Sequence, residues 1–151
     1  MPFGPLVSVD WLVDNLGHRD LVVVDCRWAL GARDAGRKAW EEEHIPGAHF
    51  LDVDEDLSAP PGEGRHPLPA AEDFAAAAAG AGIAADSIVV AYDESGEGGA
   101  ARLWWLLRHF GHPYAAVLDG GMRAWLAAGG PADAVPPRPW SNGTPFEPRG
   151  R

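Results

Sequence analysis

Apolar residues in this chain follow two patterns: short unbroken runs, and longer stretches in which they recur every three or four positions. Leu21-Val22-Val23-Val24, Ile88-Val89-Val90-Ala91-Tyr92 and Ala115-Ala116-Val117-Leu118 are unbroken runs. Such runs, bounded by polar and glycine-rich segments, mark strands buried on both faces. His49-Phe50-Leu51 is a shorter strand candidate. Helical stretches lie between the runs. Ser8 is placed to cap a helix over residues 9–16, with Val7 and Leu12 as a hydrophobic staple and Gly17 as the stop. Residues 35–43 read as a helix whose acidic end runs against the helix dipole. Residues 71–79 carry Glu72 and Asp73 in their first turn and end at Gly80. A further helix covers residues 100–110 and closes at Gly111, and a last one follows Asp119-Gly120-Gly121 and runs through Ala127. Strands alternate with helices throughout, which predicts an α/β domain with a parallel sheet covered on both faces.

The rest of the chain punctuates this pattern. Ala59-Pro60-Pro61-Gly62-Glu63-Gly64 is a loop, and no internal repeat is present. Residues 1–130 read as one domain. Residues 131–151, with Pro131, Pro136, Pro137, Pro139, Pro145 and Pro148, read as a semi-extended linker or tail.

Composition narrows the class. A chain of 151 residues is the size of one domain, and 46% hydrophobic content is enough for a core. The net charge of −10 argues against a nucleic-acid or anionic-membrane surface and reads as a solubility device. Met1-Pro2-Phe3-Gly4-Pro5 lacks the basic start and apolar core of a signal peptide, and no segment reaches the ~18 apolar residues of a membrane span. A single cysteine permits no internal disulfide and fits a cytoplasmic protein. No cofactor or metal is expected. His109 and His112 sit three apart, but Gly111 breaks the helix between them, and His66 lies in a loop. The sequence leaves the oligomeric state open.

The chemistry concentrates after the strand at residues 88–92. Asp93-Glu94-Ser95-Gly96-Glu97-Gly98-Gly99 joins that strand to a helix. A turn of this kind gathers backbone N–H groups at a helix N-terminus, where a thiolate or another anion is well held. This chain places carboxylates there. An aspartyl-phosphate chemistry would need a second aspartate two residues on and a metal, and Ser95 occupies that place. The alternative is that Asp93 satisfies loop N–H groups and caps the helix.

Several segments carry a family resemblance. His44-Ile45-Pro46-Gly47-Ala48-His49, reached through Trp40-Glu41-Glu42-Glu43, resembles the central motif of the rhodanese family of sulfurtransferases. Asp25-Cys26-Arg27 resembles the family's aspartate-x-arginine, and Leu118-Asp119-Gly120-Gly121-Met122-Arg123-Ala124-Trp125 its late signature. Tyr92-Asp93, Arg102-Leu103-Trp104-Trp105 and Phe110-Gly111-His112 are similar to the first half of two-domain thiosulfate or 3-mercaptopyruvate sulfurtransferases. Thr144-Pro145-Phe146-Glu147-Pro148 is similar to the linker into their second half.

The resemblance implies a three-layer rhodanese-like domain with a parallel five-stranded sheet. It also implies a partner, a second rhodanese domain in cis. Sulfur transfer in that family passes through a persulfide on a cysteine that opens the loop, and Asp93 stands at that position here. The loop Asp93, Glu94, Ser95, Gly96, Glu97, Gly98 is accordingly read as degenerate, with no catalytic residue. Cys26, between Asp25 and Arg27, reads as a core thiol, and Asp25 with Arg27 as a structural pair. His44 is expected to order a turn. Seven tryptophans leave two readings open: an aromatic core, or a helix over residues 100–110 that also packs on a partner domain. The expected function is a non-catalytic domain supporting a catalytic half. The alternatives are a free-standing inactive binding module and an active single-domain sulfurtransferase that uses Cys26.

Overall fold

The computed structural model describes residues 5–29, 34–58, 68–96 and 98–137. The loop at 59–64, His66, Glu97 and the linker-like segment at 144–148 lie outside the described residues. The elements run β1 (Leu6–Val7), α1 (Val9–Asn15), β2 (Leu21–Asp25), α2 (Ala35–Glu42), β3 (His49–Phe50), α3 (Ala71–Gly80), β4 (Ile88–Tyr92), α4 (Gly99–His109), β5 (Ala115–Leu118) and α5 (Gly121–Ala127). The five strands form one sheet in the order β1-β5-β4-β2-β3, and every pairing is parallel. β1 is the strand the apolar pattern does not announce. It is two residues long, it pairs Leu6 with Val117 and Val7 with Leu118, and the cap of α1 follows at once.

Alternation along the buried strands divides the core in two. Val24, Val89, Ala91 and Ala115 face a cluster built with Phe74 and Ala78 of α3 and Leu103, Leu106 and Leu107 of α4. Val23, Val90, Tyr92, Ala116 and Leu118 face a second cluster with Leu12 of α1 and Met122 and Trp125 of α5. Each fully buried leucine or phenylalanine contributes about 1.5–3 kcal/mol relative to exposure. Continuous apolar strands are therefore what a sheet with two helical covers requires.

The cap and staple of α1 act as read, whereas Gly80 falls inside α3 and the left-handed glycine after that helix is Gly82, with φ of 81°. The Ser8 Oγ accepts the Trp11 N–H at 3.1 Å, and Val7 and Leu12 lie in the same cluster. The acidic end of α2 is compensated from outside the helix: Arg27 Nη2 donates to the Glu43 carbonyl at 2.6 Å, which places a cation at the negative pole. The tryptophans differ in burial. Trp125 is fully buried and Trp104 packs against the first cluster, whereas Trp105 is 45% exposed and stacks on His109.

The segment after α5 does not leave the domain at once. The Trp125 Nε1–H donates to the Pro131 carbonyl at 2.7 Å. His44 and Asp133 then exchange two backbone hydrogen bonds, His44 N–H to Asp133 O at 2.8 Å and Asp133 N–H to His44 O at 3.0 Å. The His44 ring adds Nε2 at 2.8 Å from the Val135 carbonyl and Nδ1 at 2.6 Å from the Trp40 carbonyl. Residues 131–135 thus form a strap over the turn that His44 orders.

Two other histidines make stability depend on pH. His112 is buried with Nε2 2.7 Å from the Ser87 carbonyl, and His49 is half-buried in β3. Burial lowers both below the ordinary value of 6.5. The unfolded chain therefore takes up protons first as pH falls. Their contribution is complete above about pH 6.5 and declines below it. Urea midpoints measured from pH 7.5 to pH 5 should fall, and His112→Gln should flatten that slope. An unchanged slope in the variant would refute the assignment.

Candidate functional site

The loop after β4 is built around one buried carboxylate. Asp93 is only 3% exposed, and its oxygens accept three backbone N–H groups: Gly96 at 2.8 Å, and Gly98 and Ala100 at 3.2 Å each. Gly96 and Gly98 have φ of 112° and 115°, values that glycine adopts without strain and that turn their N–H groups inward. Gly99 opens α4 directly against the Cys26 carbonyl, where any Cβ would collide. These glycines make a cradle for an anion, and the side chain of Asp93 fills it.

A second support comes from α5. Met122 N–H donates to the Asp93 carbonyl at 2.8 Å and Arg123 N–H to the Glu94 carbonyl at 3.0 Å. This close approach explains Gly121, whose φ is 62°. A Cβ there would lie 2.5 Å from the Asp93 oxygen and 2.7 Å from that of Glu94. Two helix N-termini therefore meet at the loop, one supplying donors to the Asp93 carboxylate and one to the loop carbonyls.

Beneath the loop lies a buried polar network. Arg27 meets Asp25 through Nη2 at 2.7 Å and through Nε at 2.9 and 3.2 Å, and the Arg27 N–H adds a bond at 2.9 Å. The Tyr92 hydroxyl donates to Asp25 at 2.9 Å and accepts the Ile45 N–H at 3.2 Å. Burial pushes the Asp25 carboxyl up, against the bonds from Arg27. Burial works to lower Arg27, but its bonds to Asp25 outweigh that and raise it. Burial also raises Tyr92 far above its ordinary range, so its hydroxyl stays protonated. The network ties β2, β4 and the turn at His44 together.

Cys26 lies in the core beside β2 and not in the loop. It is fully buried among the α3 and α4 contacts, and its thiol is pushed well up by burial first and then by the charges of Asp25, Asp93 and Asp56. A thiol so placed is held protonated, the opposite of what a nucleophile needs. Glu94 lies 3.7 Å from Arg27 Nη1 with 45% of its side chain exposed, and Ser95 is exposed. His109 stacks on Trp105 while His112 faces Ser87. No three metal-ligating side chains are grouped among the described residues.

The structure thus gathers Asp93, Gly96 and Gly98 into one site, with Glu94 at its edge. Two participants escape sequence reading. The Tyr92 hydroxyl bonds across 67 positions to Asp25, and its only sequence signal is a polar-tipped aromatic ending an apolar run. The strap at residues 131–135 has no sequence signal beyond Pro131.

Comparison with known proteins completes the description. A family model described as "Rhodanese-like domain" matches residues 8–128. The chain is 44% identical over 133 residues to a Pseudomonas aeruginosa protein named "Probable 3-mercaptopyruvate sulfurtransferase", covering 85% of this chain and 47% of that protein. It is 42% identical over 126 residues to the thiosulfate/3-mercaptopyruvate sulfurtransferase 2 of Arabidopsis thaliana, covering 83% of this chain and 36% of that one. Among solved structures, the 3-mercaptopyruvate sulfurtransferase from Leishmania major superposes with a TM-score of 0.83 at 32% identity, over 100% of this chain and 43% of that one. The chain spans less than half the length of each of these relatives.

Proposed function

The chain belongs to the rhodanese family, and from that premise we propose that it is the non-catalytic N-terminal domain of a two-domain sulfurtransferase. The parent enzyme is of the 3-mercaptopyruvate or thiosulfate type and works in the cytoplasm. In it this domain walls one side of the cleft and stabilises a second rhodanese domain in cis, which carries the nucleophilic cysteine.

The observation that carries this reading is the Asp93 carboxylate, which takes the three N–H donors that a thiolate or persulfide would use. Glu94 adds a second negative charge at the loop's edge. A sulfur donor that is itself an anion meets repulsion of about 3 kcal/mol per charge pair at 5 Å and an effective dielectric of 20. The lengths of the relatives support the assignment to one half of a longer protein.

The test is direct. The chain is incubated with thiosulfate and cyanide, and separately with 3-mercaptopyruvate and a thiol acceptor. Thiocyanate and pyruvate should stay at the level of buffer alone. Turnover that disappears in Cys26→Ser would overturn the reading, because the only thiol would then be the nucleophile.

A further inference from the structure

A cleft of about 300 Å³ opens beside the loop, with Arg27 and Glu94 as the charged residues among the described ones that line it. The rest of its lining includes Trp28, Ala29, Ala35 and Ala39, so its walls are largely apolar. The Trp28 indole N–H is tied to Asp54 at 2.9 Å, which fixes the ring as a wall. A concave apolar site with a few placed polar groups has the form of a small-molecule site.

The charges decide what such a site accepts. Arg27 commits Nε and Nη2 to Asp25 and Nη2 also to the Glu43 carbonyl. Only Nη1 turns toward Glu94, at 3.7 Å, too far for a direct hydrogen bond. The Glu94 side chain is 45% exposed and only loosely held. Of the two charged residues among the described lining, Arg27 is already neutralised by Asp25, which leaves the Glu94 carboxylate. Glu94 therefore carries the charge of the described lining that is not already balanced by a close partner.

We propose that this cleft is a binding site for a small organic cation on a short apolar stem, an alkylguanidinium or alkylammonium. Glu94 is its counter-ion, and the Trp28 and alanine walls enclose the stem. The inference goes beyond the sulfurtransferase reading and does not depend on it. The cation replaces Arg27 Nη1 as the neighbour of Glu94, and the Asp25–Arg27 pair stays intact. Anions are rejected because Arg27 has little charge left to offer.

The experiment is a ¹H–¹⁵N titration of the whole chain with n-butylguanidinium chloride, and in parallel with sodium butyrate and 1-butanol at matched ionic strength. Only the cation should give saturable shifts at Gly36, Ala39, Glu94 and the Trp28 indole N–H. Added salt should weaken it. Glu94→Gln should weaken it about fivefold or more, as expected for the loss of a charge-assisted contact. Equal saturation by butyrate, equal binding of butanol, or undiminished binding in Glu94→Gln would each overturn the proposal. So would the absence of saturable shifts with the cation.

Discussion

Replacing Asp25 by alanine should remove about 3–5 kcal/mol of folding stability, because it leaves a buried guanidinium without its counter-ion. Arg27 would lose three side-chain contacts and one backbone contact, and the Tyr92 hydroxyl would lose its acceptor. Domains of this size are stable by about 5–15 kcal/mol, so the loss is a large fraction of the whole. The effect measures the isolated charge and not the worth of the pair. Replacing both partners together, as Asp25→Leu with Arg27→Met, should therefore recover a substantial part of it. Urea unfolding followed by tryptophan fluorescence, with an unchanged denaturant slope, reads both numbers. A loss below about 1 kcal/mol in Asp25→Ala would show that water reaches Arg27 and that the network is not a buried one.

Asp93→Cys should convert the occupied cradle into a thiolate site. Three N–H donors and the start of α4 would face the new sulfur in place of the carboxylate. Helix N-termini with such donors lower a thiol from its usual ~8.5 to about 7 or below. Glu94 works against this, so Asp93→Cys combined with Glu94→Arg should shift it further. Thiolate absorbance against pH, in a Cys26→Ser background, gives the value directly. A thiol of ordinary pKa in the double variant would mean that the N–H groups do not converge on the sulfur. The idea of a preserved cradle would then fall.

The two predictions test parts of the molecule that differ in how far sequence reveals them. The strand–loop–helix order around Asp93 is local, written in one apolar run, a cluster of glycines and a second apolar stretch. Its occupancy by Asp93 is local too, since donors and acceptor lie within seven residues. Asp25 and Arg27 are adjacent enough to suggest a pair. Their burial and the third partner Tyr92 depend on β2 and β4 lying side by side, which no local pattern states. β1 is illegible for a different reason: two residues carry no periodicity, and only Val117 and Leu118 across the sheet define them as a strand. Trp104 and Trp105 show a similar limit. Adjacent on one helix, they point about 100° apart, and only the packing of α4 on the sheet decides which faces water.

The strap at residues 131–135 sets the path of mechanical load through the domain. Tension on the chain beyond Pro137 would not pull first on α5. It would reach His44 and Asp133, whose paired backbone bonds and ring contact to Val135 must part together, and then the Trp125–Pro131 bond. Because His44 is joined through Trp40 to the end of α2, the pull would be shared with an element from the first third of the sequence. The domain would feel such a tether as a grip on its turn at His44, which is also where the Tyr92 hydroxyl meets Ile45.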